Sequence, residues 1–167
     1  MVKEQDEVYK ANETFYQAFE SLEIKKMEEI WVNESYIQCI HPGWGLLRGW
    51  ELVVESWRRI FENTQEIRFM LTEVRIEIRD SLAWVTLYEN ITSRLGGEII
   101  TAVVLATNIL EKRPEGWRVI HHHGSNVVQP SSQMNPSTSL AENRESASCF
   151  WNSAKAFWIS FGRRNGE

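Results

Sequence analysis

The chain is poor in cysteine: 167 residues hold two, Cys39 and Cys149. They sit in very different contexts and make no disulfide framework, so both are read as free thiols of a reducing compartment. Metal-binding spacings of the CxxC or HExxH kind are missing. Basic clusters are missing too. No lysine or arginine run is longer than a pair such as Arg163-Arg164, and the net charge is −5, which argues against nucleic acid as a partner. No apolar run approaches the roughly 20 residues of a membrane span. Met1 to Lys10 carries Lys3, Glu4, Asp6, Glu7 and Lys10 around no apolar core. No signal peptide and no membrane partner are therefore expected, and the expected setting is cytoplasmic.

What the chain does hold is an ordinary globular composition, 43% hydrophobic and 25% charged, enriched in tryptophan with eight residues. That is enough for one domain with its own core. Val8, Ala11, Phe15, Ala18, Phe19 and Leu22 recur at helical steps and predict a helix over 4–22. Ile24, Met27, Ile30 and Trp31 predict a second over 23–32, and residues 36–40 read as a short strand. Trp50, Val53, Val54, Trp57, Ile60 and Phe61 form a strong stripe for a third helix. From residue 66 the period becomes two, with Val74, Ile76 and Ile78 alternating with Arg75, Glu77 and Arg79. Strands follow over 82–93, 98–112 and 117–127, separated by Gly96-Gly97 and Pro114-Glu115-Gly116 turns. Helices first and an antiparallel meander after them predict an α+β domain over 1–128.

From Gln129 to Ser148 the composition turns to Ser, Pro, Asn, Thr and Gln, which reads as a flexible linker. Residues 149–167 read as an aromatic amphipathic helical tail, with Phe150, Trp151, Ala154, Phe157, Trp158 and Phe161 on one stripe. Docking of that stripe on the chain's own fold or on a dimer mate is expected, since exposed aromatics on that scale favour aggregation.

Candidate site residues come from isolated polar groups. Glu89 is the one polar member of the face Ala83, Val85, Leu87, Glu89, Ile91. Asn108 is alone on the face Ile100, Ala102, Val104, Ala106, Asn108, Leu110. A lone polar group on a buried face must find a partner or costs about 1–3 kcal/mol. His41 lies in the turn Cys39-Ile40-His41-Pro42-Gly43-Trp44 and is a candidate general base, or else a turn histidine bonded to the backbone. Period two places Trp117, Val119, His121 and His123 on one face. His121 and His123 are read as pocket lining, with His122 facing away; a metal and other cofactors are not expected. Trp44 and Trp57 are candidate walls, Arg48 is expected to be solvated, and Cys39 is expected to be an inert buried thiol.

The order of these elements resembles the nuclear transport factor two-like superfamily, and within it the SnoaL-like, ketosteroid-isomerase-like group. The segments that carry this are Asn12 to Phe19, Met27 to Trp31, Ile40 to Gly43, Leu47-Arg48-Gly49, Trp57, Ala83-Trp84-Val85, Ala106-Thr107-Asn108 and Gly116 to His123. The resemblance implies a curved sheet wrapped around helices into a cone with an apolar interior pocket, and commonly a dimer. It aligns His41 with the isomerases' general-base carboxylate, Phe15 with their oxyanion-hole tyrosine and Asn108 with their protonated aspartate. All three chemical groups differ here.

The sequence thus predicts a pocket protein for a small apolar molecule. His41 and Glu89 would move protons on the ligand, with Phe15, Trp44, Trp57, Asn108, His121 and His123 around it. The alternative is a non-catalytic ligand-binding or dimeric assembly module. A homodimer is expected through the outer sheet face, where Ile99, Val103, Leu105 and Ile109 form a second apolar row.

Overall fold

The computed structural model describes residues 2–95 and 97–127. The linker and aromatic tail predicted over 129–167 lie outside the described residues. Helices α1 (Val2–Ser21) and α2 (Ile24–Ile30) come first. Strands β1 (Gln38–Ile40) and β2 (Leu47–Arg48) lead into helix α3 (Trp50–Asn63). Four long strands follow: β3 (Glu66–Arg79), β4 (Leu82–Leu95), β5 (Glu98–Arg113) and β6 (Gly116–Asn126). They form one curved, unclosed sheet in the order β2-β1-β6-β5-β4-β3. The α+β reading of the sequence is therefore correct.

The meander β3 to β6 is antiparallel throughout, whereas β1 joins β6 in parallel, with Gln38 opposite His121 and Ile40 opposite His123. Gly49 sets the turn into α3 with φ 83, a conformation that disfavours a side chain. Its N–H donates to Ile37 O at 2.9 Å and its carbonyl accepts from Val53 N at 3.1 Å, so α3 starts anchored to the approach to β1. Gly124 on β6 permits a close approach of a different kind. A Cβ there would meet Val104 Cγ1 at 3.0 Å and Pro42 Cγ at 3.1 Å, so the turn after β1 presses on the sheet only because the side chain is absent.

The core lies between the concave sheet face and the three helices. It is a ring-on-ring stack: Trp57 stands 4.8 Å from Phe19, 5.6 Å from Phe15 and 6.1 Å from Phe61, centroid to centroid. Edge-on and tilted geometries dominate, as ring quadrupoles favour. The α3 stripe read from the sequence is the buried face, with Val53, Val54, Trp57, Ile60 and Phe61 inside. Among the described residues, no helix is long and apolar enough to cross a membrane.

Two register breaks matter. One lies between Thr72 and Arg75 on β3. The other lies on β6, where Leu110 faces Val119 but Ile109 faces His121, leaving Ile120 unpaired. That bulge reverses the inside–outside parity of everything after it.

Candidate functional site

The β6 bulge corrects one expectation directly. Trp117 and Val119 face the core, but His121 and His123 do not share their face. They turn to the outer surface, and His122 enters the core with 2% of its surface exposed. The alternation was read correctly up to Val119; the extra residue at Ile120 shifts it by one. The two outer histidines stand 6.3 Å apart, ring to ring, away from the buried cluster.

Glu89 and Asn108 are inside, as their apolar faces require, at 2% and 0% exposure. Asn108 on β5 stands between Val85 on β4 and His122 on β6. Glu89 lies further along β4, opposite Val104. Tyr16 of α1 spans the interval. Its hydroxyl donates to Glu89 Oε1 at 2.6 Å and accepts from Asn108 Nδ2 at 3.2 Å. Asn108 Nδ2 also donates to Asn12 Oδ1 at 2.8 Å, and its Oδ1 is 2.6 Å from His122 Nδ1. Since Asn108 spends both amide hydrogens on Asn12 and Tyr16, its oxygen is the acceptor and His122 Nδ1 carries the proton in this arrangement.

The phenol at the centre of this site belongs to Tyr16, the residue after Phe15. Phe15 is core, packed edge-on against Tyr16 at 5.0 Å. Tyr16 and Asn12 escaped the sequence reading because the helix stripe was traced through apolar residues. Both lie on the buried face of α1, four residues apart, and that i, i+4 pair on one face was the available signal.

His41 is wholly buried just beyond β1, with its ring 4.6 Å from Trp57 and 5.1 Å from half-buried Trp44. Its Nε2 lies 2.9 Å from Ser56 Oγ. Ser56 gives its one proton to Val53 O at 2.7 Å, so His41 Nε2 is the donor to Ser56. Burial pushes the His41 pKa down to about 3, which holds the ring neutral and makes it a weak base near neutral pH. Cys39 Sγ lies 3.6 Å from the same nitrogen, and burial raises its pKa well above the ordinary thiol range, as suits an inert thiol.

Burial acts on Glu89 in the opposite direction. Desolvation raises its pKa to about 7, and the Tyr16 bond offsets only part of that. Burial first, and then the neighbouring Glu89 charge, hold the Tyr16 phenol protonated well above its usual range. Burial and the flanking histidines lower the pKa of His122 well below the imidazole range. The structure therefore brings together Glu89, Tyr16, Asn108, Asn12 and His122. His41 and Ser56 stand beside them, with the His41 and His122 rings 6.2 Å apart. Among the described residues, no group of three or more His, Cys, Asp or Glu is placed to hold a metal ion.

With the geometry in place, comparison with known proteins defines the class. Residues 8–129 match the SnoaL-like domain, and the chain belongs to that family. It is similar to a candidate dehydratase of the NTF2-like family from Streptomyces avermitilis: 34% identity, TM-score 0.71, covering 74% of this chain and 96% of that one. It also resembles a candidate calcium/calmodulin-dependent protein kinase type II association domain from Thiobacillus denitrificans at 28% identity and TM-score 0.63, covering 71% and 93%. Among curated proteins it is 30% identical over 129 residues to the F-box protein SKIP8 of Arabidopsis thaliana. That match covers 76% of this chain and 52% of SKIP8, so the chain spans about half the length of that relative.

Proposed function

We propose that this domain binds a small apolar molecule carrying a carbonyl or hydroxyl group and that Glu89 and Tyr16 exchange a proton with it. The observation that carries this reading is the buried carboxyl–phenol pair, 2.6 Å apart on the concave sheet face, with the carboxyl raised to about 7. A carboxyl with that pKa accepts and returns a proton near neutral pH with little bias. Removing a proton beside a carbonyl and delivering one to a departing hydroxyl are the two halves of a dehydration. The candidate dehydratase among the relatives supports that reaction type. Tyr16, a neutral donor, would polarise the ligand oxygen.

A ligand at this pair would have to be small, because Phe15, Phe19, Trp31 and Trp57 are buried in the same interior. Entry is read beside Phe69, which is half-buried with its ring 5.2 Å from Tyr16. A panel of small β-hydroxyketones and their enones tests the reading by thermal shift and by enone absorbance. At least one pair should stabilise the wild-type chain and interconvert on it, and Glu89→Gln should lose the turnover. A panel with no stabilising member, or equal turnover by the variant, overturns it.

A second reading is favoured by a separate observation. The convex sheet face exposes Met70 (64%), Ile99 (67%), Leu105 (42%) and Trp84 (36%), with Val103 and Ile109 half-covered between them. A run of apolar side chains across three neighbouring strands needs cover. We infer a homodimer through this face, the assembly role coexisting with the pocket. The association-domain relative supports it. Light scattering at about 10 µM, well above a typical dimer Kd, should give twice the 19.6 kDa chain mass. The double substitution Ile99→Glu with Leu105→Glu should give the single mass. A wild-type chain of single mass removes the dimer.

A further inference from the structure

The buried polar network can be drawn in two directions that make the same number of hydrogen bonds. In the first, His122 Nδ1–H donates to Asn108 Oδ1 and the Asn108 amide donates to Asn12 Oδ1 and Tyr16 Oη. Tyr16 then donates to the Glu89 carboxylate. This direction has a visible defect. Asn12 Nδ2 is buried with no partner, although Asn12 is only 1% exposed.

The second direction makes the same number of hydrogen bonds with the same heavy-atom positions and leaves the outer amide position of Asn12 unpartnered as before. Half-turns of the Asn108 and Asn12 amides exchange their oxygen and nitrogen sites. Asn108 Oδ1 then accepts from both Asn12 Nδ2 and Tyr16 O–H. Asn108 Nδ2 donates to His122 Nδ1, which must now be the unprotonated ring nitrogen. Tyr16 no longer donates to Glu89, so Glu89 must donate to Tyr16 Oη and must carry a proton. Each direction makes four hydrogen bonds among these groups; the first leaves Asn12 Nδ2 without a partner, the second Asn12 Oδ1 and one Asn108 N–H. The hydrogen-bond count therefore locks neither.

We propose that Tyr16 and Asn108 couple the protonation of Glu89 to the tautomer of His122, so that the buried network switches as one unit between two hydrogen-bonding directions. The proton balance is closed. Glu89 takes one proton from solvent, Tyr16 keeps its own and redirects it to Asn108, and His122 loses its Nδ1 proton and gains one on Nε2. His122 does not touch Glu89; it acts through Asn108 and is a positioning residue. Glu89 is the one buried carboxyl among the described residues, and the other charges that act on His122 are those of His41, His121 and His123. Among the described residues, the buried titratable groups are Tyr16 from α1, Cys39 and His41 from β1 and the turn after it, Glu89 from β4 and His122 from β6. Helix α3 adds only the Ser56 hydroxyl, and α2 and β3 add apolar residues such as Met27, Ile30 and Ile67. His41 is held by Ser56 and stays neutral, so it does not drive the change. A titration of Glu89 close to neutral pH sets the window in which the switch is observable.

The inference deepens the proton-handling reading above, but its readout is the histidine ring, so a chain that turns over no substrate can still obey it. The experiment is long-range ¹H–¹⁵N correlation of the histidine rings in the full-length ¹⁵N-labelled chain, from about pH 5 to about pH 9, a span that brackets the imidazole and raised carboxyl range. His122 should change from the Nε2–H to the Nδ1–H tautomer as pH rises, without passing through a doubly protonated ring. Tyr16→Phe should remove the pH dependence while leaving His122 neutral. Glu89→Gln should show one tautomer at every pH. A wild-type His122 with one tautomer throughout overturns the proposal, as does a cationic His122 at the acid end. The wild-type measurement decides the matter even where a variant fails to fold.

Discussion

Glu89→Gln should stabilise the domain at pH 8 by roughly 3 kcal/mol and leave its stability near pH 4 unchanged. The carboxyl's ordinary pKa is 4.5, and burial raises it to about 7 in the folded chain. Between those values the folded state holds a proton that the unfolded state has released, so raising the pH removes stability. Stability from this group is complete below 4.5 and lost above about 7. At about 1.4 kcal/mol per pH unit the interval gives the quoted size. Glutamine has the shape of the protonated acid and no charge to bury, so it escapes the loss. Urea unfolding of both chains at several pH values reads the difference directly. A difference that is flat with pH would mean that Glu89 ionises as easily in the folded chain as in water.

His41 supplies the second large effect, with the opposite sign. Its ordinary pKa of 6.5 falls to about 3 on burial. Between those values the unfolded chain binds the proton and the folded chain refuses it. Stability is therefore complete above 6.5 and is lost as the pH falls through about 3. The interval corresponds to an upper value of about 5 kcal/mol, large against the 5–15 kcal/mol of a typical domain. The lowered pKa of His122 adds in the same direction. His41→Gln keeps a donor for Ser56 and has nothing to protonate. It should lose less stability than wild type between pH 7 and pH 4, whatever its packing cost at pH 7. Equal acid slopes in the two chains would show that His41 is not held neutral. Between 4.5 and 6.5 the Glu89 effect opposes those of His41 and His122, so the acid slope of wild type there should be shallower than that of Glu89→Gln.

This opposition has a chemical meaning. One interior keeps an imidazole neutral and a carboxyl protonated up to neutral pH by the same low polarity. The imidazole nearest the turn is thereby removed from acid–base work, and the carboxyl on β4 is tuned into it. The proposed chemistry moves from His41 to Glu89 and Tyr16 for this reason.

The inward facing of Glu89 and Asn108 was legible because strands alternate with period two and both residues interrupt otherwise apolar rows. The α3 core stripe was legible from its 3.6-residue period. The α+β order and the membership of the SnoaL-like family were legible from the succession of helices, turn and meander, and residues 8–129 match that family. These properties follow from short-range spacing, which the chain carries without knowing its neighbours.

Only the tertiary structure decided which histidine enters the core. Ile120 is bulged because β6 must pair with β5 on one side and with β1 on the other, and both registers are long-range. Nothing local in Ile120-His121-His122-His123 records that demand, so the parity after Val119 is invisible to alternation. Only the structure, likewise, joined Tyr16 to Glu89, 73 residues away, and Asn108 to Asn12, 96 residues away. The sequence by itself determined which faces are apolar and which polar groups interrupt them. The packing of α1 across the sheet determined their partners, because a buried donor is satisfied by whatever acceptor the fold brings within reach.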